Sequence, residues 1–494
     1  MFTFLFPILP EIFLFLGSCT ILLLNVFQGL KNQLIKITIS LLIIVVLMIV
    51  CASDNGVFYY DLFVVSLFTR TIKVGVILLA MFQLLSASQF MEKYATEKGD
   101  HTVIILFVLV GLNIMVSTNH FILLYVGMEI QALAAYTLTV MQRKSLFASE
   151  AGMKYFILGS LASVVYLFGV SYIYGAFGTL NFQEIAFNTS ETTLKAGVLG
   201  AILVLSSFLF KMGVFPFHQW IPDVYQGAPT PSTSILSTLT KLGVIAVVLQ
   251  VMSGPFYALF YKVNIDVILT VFAAVSMLVG ACVPIVQTHI KRLLGYSAIG
   301  HAGFMVMGLL GSTPQGMSVV LLYAIIYSFT LVMTFVCLMS LKNKGTQHEE
   351  HNDIDLSQLE GLSQLRPKHA FVLGVCFLSM AGIPPLIGFF PKLLLIQYAL
   401  GKSALFIASI AILSTVISLF YYLKLIKLMY IDAPTLQPIG STNRGNKLLL
   451  MVFFPVLLLQ LLGGYIPFLQ TLHQEYITVG VQSLFIGPHE NFHT

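Results

Sequence analysis

Fourteen apolar runs, each near the ~20 residues that an α-helix needs to cross hydrocarbon, leave this chain one kind of fold. They lie near residues 3–25, 36–53, 70–90, 102–118, 120–141, 149–175, 196–224, 231–253, 263–287, 291–311, 315–341, 369–400, 403–430 and 447–468. Lipid offers no hydrogen-bond partner to the backbone, so runs of this length must fold as helices that satisfy their own amides. The expected class is all-α, a polytopic membrane protein of about 14 transmembrane helices. Composition agrees: charged residues are 9% of the 494, against roughly a quarter in soluble proteins. A soluble enzyme, a disordered chain and a nucleic-acid binder are excluded, and the net charge of +5 is not a nucleic-acid footprint.

Lysine and arginine test the span count, because the inner loops of membrane proteins collect them. Sixteen fall in odd-numbered loops, from Lys31 and Lys36 to Arg444 and Lys447. Five fall on the even-numbered side: Arg70, Lys73, Lys195, Lys262 and Lys402. The remaining four are Lys154, Lys211, Lys241 and Lys392, inside spans. This asymmetry predicts both termini on the outer, positive side. The N-terminus has no basic region before its apolar run and no small-residue cleavage site, so it reads as the first span. The five cysteines are isolated and form no CxxC, which speaks against iron–sulfur clusters and structural zinc. The longest polar stretch, 342–368, carries His348, Glu349, Glu350, His351, Asp353 and Asp355 and reads as a solvated loop rather than a metal site.

Spans seven and twelve are longer than a crossing requires, and prolines interrupt both: Pro216 and Pro222 in the first, Pro384, Pro385 and Pro391 in the second. Proline removes a backbone donor and frees a carbonyl. In a membrane such breaks are tolerated only beside protein or a water-filled cavity. Spans four to eight and nine to thirteen form two groups of five, and the broken span is the fourth of each. Five is odd, so the second group enters from the opposite face. This is the pattern of inverted repeats with discontinuous helices. The expected units are an N-terminal three-helix segment (1–100), a first five-helix repeat (101–255), a second (256–432), and the last span with its tail (433–494).

Charge inside the spans carries the functional signal. Lys211 precedes the first break, Lys392 follows Pro391, and Lys241 and Glu129 stand mid-span. Each costs about 2.5–3.5 kcal/mol or more at mid-bilayer. Glu150 and Lys154 lie four apart on one helical face and can pair. Burial disfavours an ammonium and a nearby carboxylate favours it, so a lysine held between the two can exchange a proton near neutral pH. His218, beside Trp220, and His301 can shuttle protons between lysines. Glu11 and Asp223 read as interfacial or capping residues. No GxGxxG, Walker or haem-attachment pattern occurs. The residues describe a proton path driven from elsewhere.

Four runs, FLFKMGVFPFHQWIPDVYQGAPTPSTS, KRLLGYSAIGHAGF, AGIPPLIGFFPK and FYYLKLIKLMY, resemble the antiporter-like subunits of respiratory NADH:ubiquinone oxidoreductase, complex I. The resemblance runs in order from about residue 100 to 430. DVYQGAP in place of DAMEGPTP, and Lys241 in STLTKLG without a histidine-bearing run, resemble the subunit 2 or N-type branch. Only about 26 residues follow span fourteen, too few for the long lateral helix of subunit 5. The resemblance implies that Glu129 and Lys211 form the pair of spans five and seven. It implies that Lys241 is the central lysine, Lys392 the exit-side lysine, Glu150 and Lys154 the pair of span six, and His218 the histidine of the broken helix. It further implies partner subunits in a membrane arm, surrounding lipid and no nucleic acid. The assembly would use NADH, flavin, iron–sulfur clusters and ubiquinone, none of them bound by this chain. The alternatives are a subunit of a multi-subunit cation/proton antiporter and a structural spacer that does not pump. Twenty lysines against five arginines suggest AT-rich coding, which points to a mitochondrial inner membrane, with a bacterial plasma membrane as the alternative.

Overall fold

The structure is a computed structural model that describes residues 6–27, 33–52, 55–91, 98–142, 145–188, 191–341, 355–434 and 481. Span fourteen and residues 342–354 lie outside the described residues. The first segment comprises α1 (Leu9–Val26), α2 (Leu34–Cys51), a two-stranded antiparallel hairpin of β1 (Gly56–Phe58) and β2 (Phe63–Val65), and α3 (Leu67–Met91). The next group is α4 (Lys98–Val116), α5 (Phe121–Thr139), α6 (Leu146–Phe177), a short α7 (Phe182–Phe187), α8 (Glu191–Met212), α9 (Trp220–Gly227) and α10 (Thr230–Ser253). After α11 (Tyr257–Val263) follow α12 (Asp266–Cys282), α13 (Ile290–Met307), α14 (Pro314–Ser340), a one-turn α15 (Leu362–Leu365), α16 (Pro367–Ala381), α17 (Phe389–Gly401) and α18 (Leu405–Tyr430). Among the described residues eleven helices are long and apolar enough to cross a membrane, and α16 and α17, the two parts of span twelve, are shorter apolar helices.

Local chemistry sets several boundaries. Ser145 caps α6 by accepting from the Ala148 amide at 3.3 Å, and Gly178 ends that helix at φ 70°. Thr313 and Pro314 start α14 in the same manner, the hydroxyl accepting from the Gly316 amide at 3.3 Å. The loops pair by parity. On the even side, the side-chain amides of Asn119 and Asn181 both donate to the Asp61 carbonyl, at 3.0 and 3.1 Å, joining loops two, four and six. On the odd side, His289 meets Asp355 at 2.6 Å, and the Gly361 amide donates to the Leu428 carbonyl at 3.0 Å. These bonds bring loops two, four and six to one end and loops nine, eleven and thirteen to one end, as spans that alternate in direction require.

Both expected breaks are present. The helix of span seven ends at Met212, leaves helical geometry over 213–219 and resumes at Trp220. That of span twelve ends at Ala381 and resumes at Phe389. A glycine makes each turn, Gly213 at φ 76° and Gly382 at φ 87°, where an L side chain would be strained. The Phe215–Pro216 and Pro384–Pro385 peptides are cis. Pro391 lies inside the first turn of α17, not in the break. A first turn has unpaired amides in any case, so proline is tolerated there.

At the centre of the molecule stands α10, buried along its whole length and packed against α14, α3 and α4. Helices α6 and α18 are peripheral: only 39% of each span is buried. Their outer faces expose Leu161, Val164, Phe168, Val416 and Phe420, an apolar surface.

Candidate functional site

Each break exposes carbonyls of the half-helix that ends there, and each finds a donor from the half-helix that follows. In span twelve, Lys392 reaches back from α17 and its Nζ donates to the carbonyls of Met380 (2.7 Å) and Ala381 (3.0 Å). The ammonium therefore sits on the negative end of α16. In span seven, Trp220 Nε1 donates to the Phe210 carbonyl at 2.9 Å. Lys211, next along α8, is partly buried and within electrostatic reach of Glu129 on α5. Glu129 itself accepts a hydrogen bond from the Ser163 hydroxyl of α6.

Lys241 occupies the middle of α10 and is 4% exposed. Its Nζ has no hydrogen-bond partner among the described residues and lies 5.8 Å from the centre of the Tyr225 ring. His301 on α13 is within electrostatic reach of both Lys241 and Lys392. One ring nitrogen of His301 is 2.7 Å from the Tyr323 hydroxyl, and the other is 3.4 Å from that of Tyr422. A small cavity of about 20 Å³, room for roughly one water, opens among His301, Tyr323, Tyr327, Thr330, Ser379 and Lys392. The structure thus brings Glu129 and Lys211 together on one side, and Lys241, His301 and Lys392 on the other.

Tyrosines fill the interval, and the sequence reading passed over them. Tyr155 stacks on Trp220 at 4.7 Å and lies within electrostatic reach of Tyr136 and Tyr225. Tyr327 neighbours Tyr225 and lies 4.5 Å from the His301 ring. The hydroxyls of Tyr225 and Tyr327 are buried and, like Lys241 Nζ, have no hydrogen-bond partner among the described residues. A phenol in an apolar run reads as core. The available signal was its hydroxyl, which seeks a partner when buried.

Three expected residues stand apart. Lys154 pairs with Glu150 at 2.7 Å, as their spacing predicted, but both are substantially exposed, at 43% and 60%. Lys154 also meets Asp223 at 2.8 Å, and Asp223 meets Arg292 at 2.6 Å. Asp223 is therefore the centre of an ion cluster rather than a helix cap. His218 lies in the non-helical segment of the break, against Phe215. Glu11, in the first turn of α1, is 6% exposed and paired with Lys73 of α3, so the two charges counted separately along the chain form one buried ion pair. The pair was missed because the two residues lie in different runs, each near a span end.

Residues 118–418 match the family described as "NADH:quinone oxidoreductase/Mrp antiporter, TM". The chain is 36% identical over 453 residues to "NADH-quinone oxidoreductase subunit N" of Paramagnetospirillum magneticum, covering 89% of this chain and 91% of that one. Among solved structures it resembles a chain of respiratory complex I from Thermus thermophilus with bound aureothin, with TM-score 0.76, 26% identity, and 92% and 97% of the two chains covered. A chain of the Mrp complex from Dietzia sp. DQ12-45-1b shares the fold, with TM-score 0.79 at 20% identity over 96% and 97% of the two chains.

Proposed function

The chain belongs to the NADH:quinone oxidoreductase/Mrp antiporter membrane family, and from that premise we propose that it is the N-type, proton-translocating subunit of a respiratory NADH:quinone oxidoreductase. It is a multi-pass protein of the membrane arm. Its bacterial relatives fit a plasma membrane, the alternative to the mitochondrial inner membrane suggested by coding bias. The redox groups, NADH, flavin, iron–sulfur clusters and ubiquinone, are assigned to other subunits of the assembly, since this sequence has no cluster or nucleotide motif. The repeats are assigned to residues 101–255 and 256–432.

Lys241 is the observation that carries this reading. Other buried lysines here are held: Lys73 by Glu11, Lys392 by two carbonyls, Lys291 by the carbonyls of Gln226 (2.7 Å) and Ala228 (3.0 Å). Lys241 has neither a counter-ion nor a carbonyl among the described residues, at the most buried helix of the molecule. A structural ammonium without a partner is a pure cost, so Lys241 is assigned as a site that takes and gives up a proton. Glu129 and Lys211 load it by way of the tyrosine-lined interval, and His301 and Lys392 receive from it. His218 is assigned an accessory place in the path, whereas Glu150 and Lys154, exposed and joined to Asp223, are assigned to a clamp outside it. Electron transfer elsewhere in the assembly drives the transfer by altering the charge state next to Glu129.

The test is Lys241→Met in the assembled complex in membrane vesicles. Protons pumped per NADH oxidised should fall severalfold, with assembly retained. Full pumping with Met at this position would overturn the assignment and restore the spacer reading.

A further inference from the structure

Beyond the two repeats, the N-terminal helices make a polar contact with the central helix. Gln83, midway along α3 and 2% exposed, donates through Nε2 to the hydroxyls of Ser234 (2.9 Å) and Thr238 (2.8 Å) on α10. Ser234, Thr238 and Lys241 are spaced four and three apart, so they share one face of that helix. Thr238 precedes Lys241 by a rise of about 4.5 Å. The Thr238 hydroxyl is turned by its own bond to the Ser234 carbonyl, at 2.7 Å, which leaves its lone pairs for Gln83. Gln83 Oε1 is buried and, like Lys241 Nζ, has no partner among the described residues. The amide oxygen of Gln83 on α3 and the amine of Lys241, one turn beyond Thr238 on α10, are both short of partners, and buried polar groups in folded proteins are otherwise paired with protein or water. Around Gln83 the buried residues of α3 are Val76, Ile77, Ala80 and Leu84, with Ser86, whose hydroxyl is turned to the carbonyls of Phe82 (3.0 Å) and Gln83 (2.9 Å).

We propose that Gln83 is a positioning residue for Lys241. Its amide clamps the Ser234–Thr238 face through Nε2, and its Oε1 accepts, through water, from the Lys241 ammonium. The N-terminal three-helix segment thereby sets the hydrogen bonding of the central proton site, not only the outer wall of the bundle. The inference rests on the assignment of Lys241 as a proton-transfer site.

Two variants test it in the assembled complex: Gln83→Leu, and Ser234→Ala combined with Thr238→Val. The measurements are NADH–quinone turnover coupled to pumping, normalised to assembled complex, and the ratio of that turnover in H2O and D2O. Loss of one buried hydrogen-bond set should slow coupled turnover about three- to tenfold. The solvent isotope effect should rise, because transfer through Lys241 becomes the slow step. All three substitutions together should cost no more than either set alone, as residues of one network are not additive. A merely structural contact would lower the amount of assembled complex and leave the isotope effect unchanged. That result, or wild-type turnover in assembled Gln83→Leu, overturns the proposal. The Lys241→Met variant is measured alongside: if it pumps normally, the functional assignment falls; if it fails while Gln83→Leu behaves as wild type, only the role of Gln83 falls.

Discussion

Lys241 and Lys392 are both buried lysines, and they are held so differently that the same substitution should lower stability at one and not at the other. Lys392 donates to two carbonyls at the end of α16. Lys392→Met leaves both carbonyls unpaired in an apolar setting, and hydrogen bonds to charged groups contribute about 1.5–3 kcal/mol. A thermal unfolding scan of the detergent-purified complex should show this variant melting earlier. Lys241→Met removes an ammonium without a partner, and with it a desolvation penalty, so the same scan should show no loss. Equal destabilisation by the two would contradict the contacts described. Lys211→Met addresses the other side of the path. With Glu129 held by Ser163 rather than bonded to Lys211, assembly should survive, whereas pumping per NADH should fall about tenfold or more. These lysines were legible in the sequence because a charge inside an apolar run cannot be hidden. Tyr225, Tyr327 and Gln83 were not, because phenols and a lone amide carry no charge and match the core in size. Only the folded chain shows Tyr225 beside Tyr327, and Gln83 against Ser234 and Thr238.

Prolines announced the two broken elements, yet glycines make the turns. Gly213 and Gly382 end α8 and α16 with positive φ, and their surroundings are closed. A Cβ on Gly213 would fall 1.7 Å from Ile221 Cδ1, and one on Gly382 would fall 2.9 Å from Lys392 Cδ. Gly213→Ala and Gly382→Ala should each destabilise the complex by about 1–2 kcal/mol from backbone strain alone, with further loss from the clash at Gly213. Gly175, near the end of α6, has open space around it and helical geometry. Gly175→Ala should be neutral or slightly stabilising. The measurement is the yield and melting temperature of assembled complex for the three variants. Similar behaviour of Gly175→Ala and Gly382→Ala would mean that the turn geometry is not what the two breaks depend on. The sequence could place the breaks but not their edges. A proline marks where a helix is weak, whereas the residue that leaves helical geometry is chosen by which position tolerates positive φ and by which carbonyls find donors, here Trp220 and Lys392.

At the scale of the molecule, the alternation of loop charge is readable because it is additive over many residues, while one contact between distant helices depends on three. Asp223 of α9 accepts from Lys154 of α6 and from Arg292 of α13, which joins the three helices at one end. Lys291, beside it, ties the same junction through the carbonyls of Gln226 and Ala228. None of this was readable, since the partners are about 70 residues apart and each alone resembles an ordinary span-end charge. The cluster is 30–43% exposed, so solvent screens it and its contribution to stability is about 1 kcal/mol or less. Its consequence is mechanical. Asp223→Asn keeps the size of the side chain and leaves Lys154 and Arg292 facing each other across a neutral amide. The helices should then separate more readily at this end, which hydrogen–deuterium exchange would report as faster exchange in α9 and at the start of α13. Exposed charges joined to one another do not hand protons to a buried line, so pumping per NADH in the remaining assembled complex should stay within about twofold of wild type. Glu150→Gln, at the exposed end of the same cluster, should do less to exchange and equally little to pumping. Were pumping to collapse in Asp223→Asn while exchange at α9 and α13 stayed slow, Lys154 would be a working member of the proton path and not a clamp between its halves.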